Sequence, residues 1–385
     1  MLYFSFMKIQ LIGSTNNMVK LKYMESFSRA CARVCYSGKS FKEIVEEEAT
    51  PNLLKDLKQR GHHSVFEHTT LNFEFEGLPK IMAMIFNNEK DYATSEKSAR
   101  YTVMKYMKLE QKELYDKWME LLVSEIDKVY PTISDSDKRN TAIGKLAQEN
   151  ARYMTSVFTP TKMVHTLKLR QLNHLIHEFE NFVKNHKDGK DELKKRLVPY
   201  MDEFLKQVEK FKVDKLRNQT DRHLSLFGED KKTDPHFRDT YSVTYPLSFA
   251  GLAQAHRHRT INYQIIGGTE LGSPLGFFVP KIVPKDLRAE WIADLNKVAE
   301  DDFPQAQLLK VYERGTVEDF RSKMILRVCG HAQYEIMENT LGIAREYAEH
   351  NESVKRQLDE QCAQAFSGKN PCVWCPRDSL EGRIV

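Results

Sequence analysis

LNFEFEGLPKIMAMIFNN at 71–88 and TYSVTYPLSFAGLAQAHR at 240–257 carry one pattern at a constant offset of 169 residues. Each alternates apolar and polar residues as a half-buried strand does, turns, and runs into an apolar helix. Few residues are identical, so the shared order of strand, turn and helix is the signal. It predicts two diverged copies of one unit and an α+β fold of antiparallel sheet with packed helices. The expected division is a first copy over 1–175, a helical linker over 176–235 and a second copy over 236–385.

Working outward, residues 8–13 read as a strand and 25–36 (ESFSRACARVCY) as a helix. Asn52 to Arg60 reads as a short helix stopped by Gly61. The charged stretches at 106–128 and 178–218 have helical periodicity and few breakers, and read as solvated helices.

The 385 residues are 41% hydrophobic and 29% charged, with a formal net charge of +4. That suffices for a sizeable core and is too mild a charge for a dedicated nucleic-acid binder. Six cysteines at irregular spacing imply a reducing, cytoplasmic setting rather than a disulfide scaffold. No apolar run reaches the length of a membrane span. The opening MLYFSFMKIQLIG lacks the basic start and small-residue cleavage site of a signal peptide, so it reads as a strand, with Met7 an alternative start. Cys372 and Cys375 form a CxxC ten residues beyond Cys362. Structural zinc usually takes two such pairs, so no metal is expected, and Trp374 with its flanking prolines accounts for the segment by packing.

Four polar groupings carry possible chemistry. His62, Ser64 and Glu67 lie in GHHSVFEH (61–68), able to hold a heterocycle by hydrogen bonds or simply to form a polar loop capped by Ser64. Glu96, Ser98, Arg100 and Tyr101 lie in SEKSARY (95–101), where a carboxylate and a guanidinium can grip a nucleotide from both ends, or face solvent. Arg257, His258 and Arg259 follow the second apolar helix, with Gln254, Asn262 and Gln264 close by. Two guanidiniums about an imidazole suit a pyrophosphate or a reduced-flavin anion, although a basic helix end also complements the helix dipole. Arg327 and His331 in LRVCGHAQYEI (326–336) are spaced by four, which predicts one helix face.

Together these segments resemble the flavin-dependent thymidylate synthase family. ARVCYS, GHHSVFEH, LNFEFEG, SARY, ARYM, RHR and LRVCGHAQYEI carry the resemblance, and the PCVWCP tail adds to it. It covers most of 8–105, 151–175 and 240–376 and touches the inserts at 106–150 and 176–235 only weakly. The family pattern is Arg-His-Arg, two residues, Ser, one residue, Asn-Glu, one residue, Ser, one residue, Arg-Tyr. In NEKDYATSEKSARY (88–101) the first half has become Asn88, Glu89 and Lys90, while Glu96, Ser98, Arg100 and Tyr101 survive. In RHRTINYQIIGGTE (257–270) the first half survives and the second is gone. Downstream, the first copy keeps Arg152 and Arg170 but has Lys168 for the family Asn, and Phe179 and Val183 for the later Arg and His. The second copy keeps Arg327 and His331 but has Glu300, Thr316 and Glu318 for the earlier positions.

Each copy has thus lost what the other retains. The family's homotetramers, with active sites at subunit junctions, imply a homodimer of two-copy chains that imitates a tetramer. The resemblance implies reductive methylation of dUMP to dTMP, with methylenetetrahydrofolate, NADPH and FAD, no cysteine nucleophile and therefore no role for Cys35 or Cys329. It implies FAD contacts from Arg257, His258, Arg259, Asn262, Ser64, Glu67, His331 and His62. Glu96, Ser98, Arg100 and Arg152 are implied at the nucleotide and its phosphate, with Arg170 a further phosphate-side candidate. Gln254 is implied at the nucleotide and Arg327 near the uracil, and with Arg257 they form the catalytic group. No Rossmann fingerprint is present, since Gly267-Gly268 lacks its spacing. The departures in IIGGTELGSP leave open methyl or hydroxymethyl transfer to another pyrimidine nucleotide, or a non-catalytic nucleotide- or flavin-binding protein.

Overall fold

The computed structural model describes residues 7–47, 52–104, 106–216, 224–228, 234–360 and 385. Cys362, Cys372, Trp374 and Cys375, with the expectation about zinc, lie outside them, as does the start of the opening segment.

The elements begin with β1 (Lys8–Ser14), α1 (Leu21–Val34), α2 (Phe41–Glu46), α3 (Leu53–Gln59), β2 (Thr70–Pro79), α4 (Lys80–Phe86) and β3 (Tyr92–Glu96). Then come α5 (Leu109–Val129), α6 (Ser136–Ala151), β4 (Pro160–Lys168), α7 (Leu169–His186) and α8 (Glu192–Val208). The rest holds β5 (His236–Phe237), β6 (Thr240–Ser248), α9 (Phe249–Ala255), β7 (Asn262–Gly267), α10 (Arg288–Ala299), β8 (Leu308–Thr316), α11 (Val317–Arg327), α12 (Tyr334–Ala348) and α13 (Glu352–Glu360). The chain forms two compact units, 1–97 with 160–225, and 98–159 with 226–385. Residues 98–159, which the sequence groups with the first copy, therefore fold with the later part of the chain.

Each unit holds one four-stranded antiparallel sheet, of order β1-β2-β4-β3 in the first and β5-β6-β8-β7 in the second. The registers match as well. Thr70 pairs with Lys168 where Thr240 pairs with Thr316, and Pro79 pairs with Pro160 where Ser248 pairs with Leu308. Between these two strand pairs the difference is a bulge in β2 between Glu76 and Leu78, at Gly77, whose φ of 70° suits glycine. Past that bulge the offset becomes the 169 residues seen in the sequence, so Lys80 opens α4 where Phe249 opens α9.

In the first unit Phe73, Phe75, Phe86, Phe179 and Phe204 are all buried, and successive rings pack edge-on or tilted. α7 and α8 supply much of this core through Leu172, Phe179, Leu197, Met201 and Phe204. The expectation of solvated helices is therefore corrected: their charged faces hide a second, apolar face. The same holds for α5 in the second unit, where Trp118 is fully buried and meets Trp291 at 4.8 Å between ring centroids. Among the described residues no helix is long and apolar enough to cross a membrane.

Equivalent sheet positions carry different chemistry. In the second unit Glu313 is fully buried and accepts from Lys323 Nζ at 2.8 Å, and from Tyr241 and Tyr245. In the first unit the corresponding residues are His165, Leu175, Leu71 and Phe75. Burial alone pushes His165 down to about 3.

Candidate active site

In the first unit β2 and the turn of 3-10 helix before it (His63–His68) set the first grouping. His62 and Ser64 are exposed, and no side chain caps that turn, so Ser64 has no capping role. Glu67 holds two cations from the start of α7: Lys168 at 3.1 Å and Arg170. Partial burial opposes them, but these partners keep the Glu67 carboxyl below its ordinary range. Glu96, at the end of β3, is bound by Lys80 and by Asn87 Nδ2 at 3.3 Å.

The second unit gathers the guanidiniums. Ser98 starts a tight turn, its Oγ accepting from Arg100 N at 3.3 Å. Arg100 donates through Nε to Glu149 and through Nη2 to the His331 carbonyl at 3.0 Å. Arg152, 5% exposed, follows α6 and donates to the Glu149 carbonyl at 3.1 Å and to Gln333 Oε1 at 2.6 Å. Burial lowers Arg152, and the nearby Arg100 charge adds to this against the pull of Glu149. Burial, followed by the charges of Arg100 and Arg257, brings Arg327 down to about 10. The Arg100 charge thus acts on both Arg152 and Arg327, and the Arg257 charge on Arg327.

α9 and α11 aim two of them. Ser248 caps α9, its Oγ accepting from Gly251 N at 3.0 Å, and the helix ends at Ala255 just before the Arg257–Arg259 turn. α11 starts on a capping box, with Thr316 Oγ1 accepting from Asp319 N at 3.2 Å and Asp319 Oδ2 accepting from Thr316 N at 3.0 Å. The cap engages Thr316 through both its backbone and its side chain. At its other end Arg327 Nε donates to His258 Nε2 at 2.8 Å and Nη2 to the Gln254 carbonyl at 3.2 Å. His258 must then be a neutral imidazole with its proton on Nδ1. Burial, and after it the Arg327 and Lys323 charges, push it down to about 3. Arg257 and Arg259 are exposed, Asn262 opens β7, and Gln254 Oε1 is buried with no hydrogen-bond partner among the described residues.

One expectation is corrected. Arg327 and His331 do not share a helix face: α11 stops at Arg327, Val328 has ψ 65°, and His331 lies in the loop before α12. Gly330 and the non-helical Val328 break the periodicity that the spacing assumed. Sequence reasoning missed Glu149, Tyr153, Gln333 and Glu335, buried polar residues that link the arginines. Glu335 accepts from Tyr153 OH at 2.6 Å and from Ser248 N at 2.8 Å and Oγ at 2.7 Å. Burial pushes the Glu335 carboxyl up, opposed by these donors and by Arg152. The signal available was two charged or amide residues inside an otherwise apolar run, QYEIM.

The matching place in the first unit holds no such cluster among the described residues. Asn88 stands for Arg257 and is joined to Ser225 Oγ at 2.8 Å, Glu89 stands for His258 and accepts from Ser225 N, and buried Phe179 stands for Arg327. Among the described residues no group of three or more His, Cys, Asp or Glu side chains is set to hold a metal ion.

Residues 20–188 match the family model described as thymidylate synthase complementing protein. The match spans less than half of the 385-residue chain. The flavin-dependent thymidylate synthase of Pyrococcus abyssi is 29% identical over 150 residues, 36% of this chain and 57% of that protein. That of Pyrococcus furiosus is 26% identical over 150 residues, again 57% of its length. The chain thus spans little more than half the length of these relatives. A crystal structure of thymidylate synthase X from Helicobacter pylori with FAD and dUMP shares 16% identity, covering 54% of this chain and 99% of that chain at a TM-score of 0.29.

Two buried histidines make the fold acid-sensitive. His165 and His258 are held near 3 when folded and return to about 6.5 when unfolded, so the unfolded chain binds protons that the folded chain refuses. Their stability contribution is complete above about pH 6.5 and shrinks as pH falls towards 3. Each is expected to remove about 2 kcal/mol between pH 7 and pH 5. Urea midpoints at the two pH values check this; equal midpoints would contradict it.

Proposed function

We propose that the chain is a flavin-dependent thymidylate synthase-like enzyme that converts dUMP to dTMP with methylenetetrahydrofolate, NADPH and FAD. The observation that carries this reading is that Arg100, Arg152, Arg257 and Arg327 lie in one unit and act on one another's charge. The names of the Pyrococcus relatives support it.

Arg100 and Arg152 take the nucleotide phosphate, with Ser98 and Glu96 along the nucleotide. Four guanidiniums suit anionic phosphates through their planar donor forks. Gln254 Oε1 is a buried acceptor awaiting a donor such as the uracil N3–H. Arg327, held by neutral His258 and the Gln254 carbonyl, stabilises negative charge developing on the uracil. Arg257, Arg259, Asn262 and His331 fit the anionic groups of FAD, and His62, Ser64 and Glu67 are assigned to the same cofactor. When bound, FAD supplies the hydride and the folate supplies the carbon. The proposed chemistry gives no nucleophilic role to Cys35 or Cys329.

Duplication and fusion account for the pattern. The twin sheets share order and register, and the first unit has replaced its own arginines with Asn88 and Phe179. A homodimer of such chains, with two active sites, follows from this reading. The visible spectrum of the protein with FAD, before and after dUMP, tests the function. A bound-flavin spectrum that shifts with dUMP supports it, and a protein that cannot be loaded with FAD removes it.

A further inference from the structure

We propose that Glu335 is a positioning residue: it fixes the direction of a hydrogen-bond chain that orients Arg152, and it anchors the helix that leads to Gln254 and Arg257. The inference rests on the reading of the arginine cluster as a nucleotide site.

The direction of the chain follows from what each group can do. A guanidinium only donates, so Gln333 must turn Oε1 to Arg152, at 2.6 Å. Its Nε2 then faces Tyr153 and donates to the phenol oxygen. That hydroxyl has its proton left to give, and Glu335 Oε2 takes it at 2.6 Å. Three donors converge on Glu335, so the chain has one consistent direction from Arg152 to Glu335.

The other side of the same carboxylate holds α9. Ser248 donates through N to Oε1 and through Oγ to Oε2, and this residue is the helix cap. The approach is close: a Cβ at Gly251 would lie 2.9 Å from Glu335 Cδ and 2.7 Å from Leu247 Cδ1. Arg152, Tyr153, Gln333, Glu335 and Ser248 are all buried, so water cannot replace a lost link.

The two units differ here as they differ in arginines. Where the second has Ser248 and Gly251, the first has Pro79 and Met82. Proline lacks both donors that serine gives, and methionine fills the space that glycine leaves. The network therefore accompanies the guanidiniums rather than the scaffold.

Glu335→Gln keeps the shape and spoils the direction. If its Nε2 faces Tyr153, the chain reverses and Gln333 Nε2 confronts Arg152. If its Nε2 faces Ser248, it confronts the Ser248 N–H. Either way a donor meets a donor.

The test is a double-mutant cycle of Glu335→Gln with Arg152→Met, read by the dUMP dissociation constant and by the thermal midpoint. Glu335→Gln is expected to weaken dUMP about 10-fold or more with Arg152 present, and no more than about 2-fold with Met at that position. Equal losses in both backgrounds would overturn the proposal. A wild type that does not bind dUMP sinks the nucleotide-site reading instead. The midpoints then decide alone: non-additive shifts support the chain, and additive shifts remove it. If Glu335→Gln does not fold, Tyr153→Phe breaks the same chain and takes its place in the cycle.

Discussion

Arg327→Ala is expected to lower turnover of dUMP by about 100-fold or more while flavin absorbance persists. The side chain lies at the end of α11, its Nε on His258 and one Nη on the Gln254 carbonyl, so its plane cannot rotate freely. A donor fixed before the reaction needs no reorganisation when charge develops, which is why a single one matters so much. Arg327→Lys should recover little, because a lysine cannot serve His258 and the carbonyl from one rigid plane. Steady-state kinetics with dUMP, together with the flavin spectrum, measure both variants. Activity within threefold of wild type would place the chemistry elsewhere.

The largest expected loss of stability comes from Lys323→Met. Lys323 and Glu313 have fully buried side chains, and the carboxylate also receives Tyr241 and Tyr245. Removing the ammonium leaves an anion in the core without its counter-charge, at a cost of about 3–5 kcal/mol. The double variant Lys323→Met with Glu313→Gln should recover a large part of this, since a neutral amide needs no counter-charge. Chemical denaturation of wild type and the two variants gives the comparison. A single variant as stable as wild type would show that the tyrosines alone satisfy the carboxylate. The first unit supports the expectation: it places neutral His165 and Leu175 at these positions.

Local pattern made much of this molecule readable. The alternation in LNFEF and TYSVTY gave strands, the apolar runs after them gave α4 and α9, and Gly61 ended α3. These depend on periodicity and caps, which a sequence displays directly. The contrasts between the two halves were equally plain, because Asn88 against Arg257 and Phe179 against Arg327 are differences of residue type. The helices at 106–128 and 178–218 were harder. Their charge counts suggest solvent, yet Trp118, Phe179 and Phe204 sit at the spacings that build a buried stripe.

The sequence by itself determined the two strand-turn-helix patterns and the residue types that differ between them, since both are written in residue type and spacing. Only the tertiary structure decided that residues 98–159 leave the first unit for the second. Only it brought Arg152 to Gln333 and Arg100 to His331, across 181 and 231 residues of chain. Periodicity tells which face of an element is buried, but not which distant element covers it. The same limit hid Glu335: a charged residue in an apolar helix reads as surface until its three donors are seen, and those donors come from two other parts of the chain.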